Sequence, residues 1–114
     1  MQTESIARQR ALAFAKRIVS LCGHLRKEHN EYVLSKQILR SGTSIGANIA
    51  EARCGASRKD FMAKVYIALK ESAETLYWLE LLHITEYLSD DEYRSLYADC
   101  EEIRRMLSAT TKRA

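Results

Sequence analysis

Not one proline occurs among the 114 residues, so nothing in the chain forces a helix to break. Between Tyr32 and Arg53 the apolar residues Leu34, Ile38, Ile45, Ile49 and Ala52 recur with the period of an amphipathic helix, and Gly42 takes the vacant place in that row. One residue behind runs a second row of Gln37, Ser41, Ser44, Asn48 and Glu51. This helix would carry Gly42 and Gly46 in its interior, each costing about 1 kcal/mol relative to alanine. Serine, threonine and asparagine are also mediocre helix formers, because their side chains compete for backbone hydrogen bonds. Something outside the helix must therefore stabilise it.

Spaced four apart, Gly42 and Gly46 share a face on which another backbone can approach closely. With Ala47 and Ala50 they read as packing residues, while Ser41, Ser44 and Asn48 bond to neighbouring carbonyls. A sharper alternative makes Asn48 a register device in a bundle or oligomer seam. Catalysis is the weakest use, since no second titratable cluster is spaced to complete a site with Glu51, Asn48 and Ser44. The segment Ser41, Gly42, Ser44, Gly46, Asn48 and Glu51 is assigned a structural role.

The flanking sequence supplies three more helices. The first runs from about Glu4 to Leu25, with Ala7, Ala11, Phe14, Ile18, Leu21, Cys22 and Leu25 on one face and Gly23 near its end. Asn30 is a candidate N-cap for the second helix, and Gly55 a candidate left-handed cap after it. Ser57, with Asp60 three residues on, starts a third helix that meets no breaker until Leu88. Ser89-Asp90-Asp91-Glu92 is a stronger start signal, and Tyr93, Leu96, Tyr97, Cys100, Ile103 and Leu107 form the stripe that follows. The tail from Thr110 should fray. Short connections between long helices make antiparallel neighbours, so the expected fold is all-α, an up-down-up-down antiparallel four-helix bundle filling residues 1–114 as a single domain.

The third helix is apolar around nearly its whole circumference from Leu76 to Leu88. A monomeric bundle buries one face of each helix. The surplus, with Leu76, Tyr77, Trp78, Leu81 and Ile84 as candidates, is what a second subunit would cover. The alternative is a wide core stripe with exposed tyrosines.

Composition narrows the function classes. An apolar content of 46% with 29% charged residues suits one soluble domain, and no apolar run approaches the ~20 residues of a membrane span. The N-terminus lacks a secretory pattern, so a cytoplasmic location is expected. Cys22, Cys54 and Cys100 are odd in number and far apart, which suits buried free thiols better than disulfides or zinc; His24, His29 and His83 add no ligand pair. No cofactor, metal or small-molecule substrate is indicated. The net charge of +3 hides a split: residues 1–70 hold 13 Lys and Arg against five acids, residues 71–114 five against ten. Such a split fits a basic and an acidic surface, or ordinary solvated faces on long helices folded side by side.

The stretch Leu39-Arg40-Ser41-Gly42-Thr43-Ser44-Ile45-Gly46-Ala47-Asn48-Ile49-Ala50-Glu51-Ala52 closely resembles the signature of the four helix bundle proteins, also called 23S rRNA-intervening-sequence proteins. A second match follows in Asp60-Phe61 and in Ile67 to Leu82; Glu71 departs from a glycine that many members carry there. The resemblance implies a small bacterial four-helix bundle and a ring-like homopentamer. Some members are encoded within insertions in large-subunit rRNA genes, and the fold resembles an accessory protein of diversity-generating retroelements for which nucleic-acid binding is inferred. It implies no reaction.

Two function classes follow, neither enzymatic. In the first, a homo-oligomer binds RNA or DNA phosphates through Arg8, Arg10, Lys16, Arg17, Lys36, Arg40, Arg58, Lys59 and Lys64, with little base readout because few aromatics lie among them. In the second, the chain is a structural adaptor whose charge split docks one protomer on another or on a protein partner.

Overall fold

The apolar rows fold into four α-helices: α1 (Gln2–His29), α2 (Val33–Ala52), α3 (Arg58–Ile84) and α4 (Asp90–Lys112). The computed structural model describes the backbone of residues 2–112 and the side chains of residues 6–112. A 28-residue helix is about 42 Å long, and the molecule measures 44 × 21 × 18 Å, so each connection must reverse the chain. Contacts between the helices run antiparallel throughout. Gly42 and Gly46 of α2 face Ile18 and Ala11 of α1, Ser41 of α2 meets Thr75 of α3, Cys100 of α4 reaches Ser72 of α3, and Arg10 and Arg17 of α1 meet Glu102 and Asp99 of α4. The helices therefore stand in a square in chain order, an up-down-up-down antiparallel four-helix bundle, with α1 diagonal to α3.

The core is made by the expected faces. Ala7, Ala11, Phe14, Ile18, Leu21, Cys22 and Leu25 of α1 are all buried, as are Leu96, Cys100, Ile103 and Leu107 of α4. Burying one such leucine or isoleucine is worth about 1.5–3 kcal/mol, which offsets the poor helix propensity of α2.

Several helix ends differ from the sequence expectation. α1 continues past Gly23 to His29, and Asn30 terminates it at a φ of 52° instead of capping α2. Asparagine tolerates this left-handed conformation, which closes a helix as readily as its side chain opens one. The start of α2 is held by Glu31, whose carboxylate accepts hydrogen bonds from the N–H groups of Val33, Leu34 and Ser35 at 3.2, 3.0 and 2.8 Å. Gly55 does not adopt a left-handed conformation. It is needed for room: a Cβ there would lie 3.2 Å from the Ala52 carbonyl, the Asp60 Cβ and the Phe61 N.

α3 stops at Ile84, short of Leu88. Glu86, at a φ of 70°, turns the chain, while the N–H groups of Tyr87 and Glu86 return to the carbonyls of Leu82 and His83 at 2.9 and 3.0 Å. This is a Schellman closure with glutamate where glycine is usual, so the sequence carried no stop signal. The two predicted starts hold. Ser57 accepts from the N–H of Asp60 at 3.1 Å, and Ser89 and Glu92 form a reciprocal capping box. At the other end α4 continues to Lys112; Arg113 and Ala114 lie outside the described residues.

Candidate assembly and nucleic-acid surfaces

The glycines of α2 bring α1 close. A Cβ on Gly42 would lie 3.0 Å from Ile18 Cγ1 and Cγ2, and one on Gly46 3.3 Å from Ala11 Cβ. The hydroxyl row faces α3 and is satisfied internally. Ser44 donates to the Arg40 carbonyl at 2.6 Å, and Asn48 Nδ2 to the Ser44 carbonyl at 2.8 Å. Ser41 and Thr75 share a hydrogen bond of 2.9 Å, and Thr75 also reaches the Glu71 carbonyl at 2.8 Å. With one proton per hydroxyl, Thr75 donates to one of these two acceptors at a time, and Ser41 has the Ile38 carbonyl at 3.5 Å as a second partner. Glu51, at the exposed end of the row, accepts from Lys64 at 2.7 Å. Asn48 spends its amide within its own helix.

Ser35 belongs to the same polar inventory and was not visible as a candidate. Fully buried, it donates to the Glu31 carbonyl at 2.9 Å, accepts from Arg26 Nε at 3.2 Å, and its carbonyl takes the Cys22 thiol at 3.2 Å. Its sequence signal is weak, since a lone serine on an apolar face is common.

The nine candidate cations divide into two groups. Arg10 and Arg17 pair with Glu102 and Asp99 across α1 and α4, Arg40 pairs with Glu71 and Glu74 across α2 and α3, and Lys64 pairs with Glu51. These four act as inter-helix links, and Arg40 also accounts for the glutamate at position 71. Arg8, Lys16, Lys36, Arg58 and Lys59 are exposed. Antiparallel packing also redistributes the charge. The bundle end made by the start of α1, the α2–α3 connection and the end of α4 carries Arg8, Arg10, Arg53, Arg58, Lys59, Lys64, Arg104, Arg105 and Lys112 against Glu51, Asp60, Glu101 and Glu102. The opposite end carries Glu28, Glu31, Glu80, Glu86, Asp90, Asp91 and Glu92, with Arg26, Lys27, Lys36 and Arg94. Among the described side chains, one end is basic and the other acidic.

α3 has an inner and an outer apolar row. Met62, Val65, Ala68, Leu76, Leu79 and Leu82 are buried in the bundle. Leu76 is thus spent on its own core and is removed from the candidate interface. Trp78 and Leu81 are half-buried, the indole N–H donating to Glu74 at 2.9 Å. Tyr66, Ile67, Tyr77 and Ile84 are 50%, 40%, 57% and 68% exposed, and no other helix of the chain covers them.

The cysteines divide by position. Cys22 and Cys100 are buried and donate to the carbonyls of Ser35 and Ser72, whereas Cys54, in the turn after α2, is exposed and corrects the expectation of three buried thiols. Burial pushes the Cys22 thiol up to about 11 and the Cys100 thiol up to about 12, so both stay protonated at neutral pH. Among the described residues, no cluster of three or more His, Cys, Asp or Glu side chains is placed to hold a metal. None of the helices is long and apolar enough to cross a membrane.

Two comparisons locate this arrangement among known proteins. The sequence profile described as 23S rRNA-intervening sequence protein matches residues 3–109. The chain belongs to that family. A crystal structure from Bacteroides thetaiotaomicron, described as a protein with unknown function from the S23 ribosomal protein family, is similar to it at 51% sequence identity, covering 96% of this chain and 98% of that one, with a TM-score of 0.95. No curated protein matches.

Within the family frame, the signature that identified the chain coincides with the α2 seam, and its glycines and hydroxyls are consumed by packing against α1 and α3. The surfaces left over are the basic end and the outer row of α3.

Proposed function

We propose that the protein is a non-enzymatic homo-oligomer, five copies as the family resemblance implies, that binds RNA or DNA through the phosphate backbone with the basic ends of its bundles. The observation that carries this reading is the gathering of exposed cations at one end, with Arg58 and Lys59 at the start of α3 and Arg8 on α1. Phosphate contacts of this kind need cations but no shaped pocket, and they release counterions, so binding falls steeply with salt. The outer row of α3 supports assembly, because four large apolar side chains on one helix are costly to leave in water. Repeating a modest basic patch around an assembly raises its effective affinity through multivalency. A cytoplasmic setting keeps Cys22, Cys54 and Cys100 reduced.

One observation favours the adaptor reading. Arg10, Arg17, Arg40 and Lys64 are already neutralised by carboxylates, which shrinks the surface available to phosphate. The test separates the two. Mass in solution should exceed that of one chain, and a short RNA or DNA should be retained at about 50 mM salt and released as salt rises. Arg58→Glu with Lys59→Glu should abolish retention and leave the assembly intact. An assembly that retains neither nucleic acid at that salt leaves the adaptor reading; a monomer at every concentration removes both.

A further inference from the structure

The two halves of α3 differ in charge. Residues 58–70 hold Arg58, Lys59, Lys64 and Lys70 against the single acid Asp60, whereas residues 71–84 hold Glu71, Glu74 and Glu80 with neither lysine nor arginine. Lys59, Ala63, Tyr66 and Lys70 are all exposed and stand four, three and four residues apart, so they share one stripe of the helix. At 1.5 Å per residue the two lysines are about 16 Å apart along the axis, with Tyr66 about 6 Å from Lys70. Lys64 is tied to Glu51, but among the described residues no carboxylate forms an ion pair with Lys59 or Lys70.

Tyr66 also stands apart from the other tyrosines. Of the six in the chain, Tyr77, Tyr87, Tyr93 and Tyr97 each meet another ring, those of Trp78, His29, His83 and Tyr93 in turn. Among the described residues Tyr32 and Tyr66 meet none, and Tyr32 follows Glu31 at the acidic end. Tyr66 is therefore the half-exposed ring, without a ring partner, that lies between two unpaired cations. Lysine is depleted from the centres of subunit contacts, because covering it strips water from its ammonium group. A polyanion instead brings the charge that both lysines lack. In a duplex the base faces are already covered by their neighbours, so a ring on a helix surface can stack only on the bases of a single strand.

We infer that the stripe of Lys59, Tyr66 and Lys70 is a single-strand track, on which Tyr66 stacks one base of an RNA or DNA strand while the two lysines hold phosphates to either side. The track leads away from the basic end along α3 and leaves Ile67, Tyr77 and Ile84 to the assembly. Resting on the phosphate-binding reading above, it adds a preference for single strands and a ring that phosphate contacts alone do not need.

The test compares an oligothymidylate of about 12 nucleotides with the same strand paired to its complement, by fluorescence anisotropy at about 50 mM salt. Tyr66→Ala should weaken binding of the single strand about tenfold and leave the duplex within about twofold of the parent. Tyr66→Phe, which keeps the ring, should bind both like the parent. Lys70→Gln should lower the salt slope for the single strand by about one. Loss of single strand and duplex together, or of neither, in Tyr66→Ala overturns the track while the phosphate-binding reading stands. So does a Tyr66→Ala protein that is folded by circular dichroism but smaller in solution than the parent, since Tyr66 would then be a subunit contact. A parent that binds neither probe removes the phosphate-binding reading and the track with it.

Discussion

α2 and the outer face of α3 make opposite uses of their residues. α2 holds the chemically suggestive side chains, two glycines and a row of hydroxyls and amides, and nearly all of them are answered inside the bundle. The glycines admit Ile18 and Ala11, Ser41 finds Thr75, and Ser44 and Asn48 find carbonyls of their own helix. α3 holds ordinary tyrosines and isoleucines, and those on its outer row stay largely exposed, Tyr77 meeting only the edge of its neighbour Trp78. A polar side chain can be satisfied by a carbonyl one turn away. A large apolar one needs another surface, so the outer side of α3 leads further beyond the single bundle than the signature of α2 does.

The contrast breaks first at the glycines if it breaks at all. Gly42→Leu drives a branched side chain into Ile18 and should cost about 3 kcal/mol, lowering the melting temperature by roughly 10 °C. An unchanged urea midpoint would mean that α1 and α2 do not meet there.

The buried hydroxyl chain comes next. Thr75→Val preserves shape but leaves Ser41 without its nearest partner, and should cost about 1 kcal/mol by chemical denaturation. A neutral result would mean that Ser41 is satisfied by the 3.5 Å contact to the Ile38 carbonyl alone.

On α3 the expectation is reversed. Tyr77→Glu with Ile84→Glu should change the stability of the isolated bundle by no more than about 0.5 kcal/mol per site, since surface changes rarely do more. A loss as large as that of Gly42→Leu, measured on the monomer, would make the outer row part of the core and erase the contrast.

The smallest effect belongs to the α3–α4 turn. Asp90 accepts a hydrogen bond from His83 at 2.7 Å, and that bond, helped by the imidazole charge, holds its carboxyl below the ordinary 3.8. A depressed carboxylate stabilises the fold above its unfolded value and loses that contribution as pH falls through the folded one. Asp90→Asn should therefore narrow its stability gap to the parent below about pH 4. A gap independent of pH would show the pair to be idle.

Much of this was legible beforehand. Four helices in order, the faces of α1 and α4, the Ser57 and Ser89 starts and the packing use of Gly42 and Gly46 follow from periodicity and local capping chemistry. The misses share one cause. Asn30 and Glu86 close helices in left-handed conformations where glycine is the usual signal, and Glu31 caps α2 from a place where serine or aspartate is usual. Side chains that reach their role through the backbone geometry of their neighbours leave little trace in composition. Ser35 was missed for a related reason, because its partners Arg26 and Cys22 come from the preceding helix.

The sequence by itself determined the helices, their buried faces and the family, because each depends on residues three or four apart along one strand of backbone. Only the tertiary structure decided where the charges went. In the sequence the first 70 residues are basic and the rest acidic, a split between halves of the chain. Antiparallel packing lays those halves side by side, ties Arg10, Arg17 and Arg40 to acids of α4 and α3, and leaves the remaining imbalance running from one end of the bundle to the other. Electrostatic partners are set by distance in space, and distance in space is what a linear sequence does not contain.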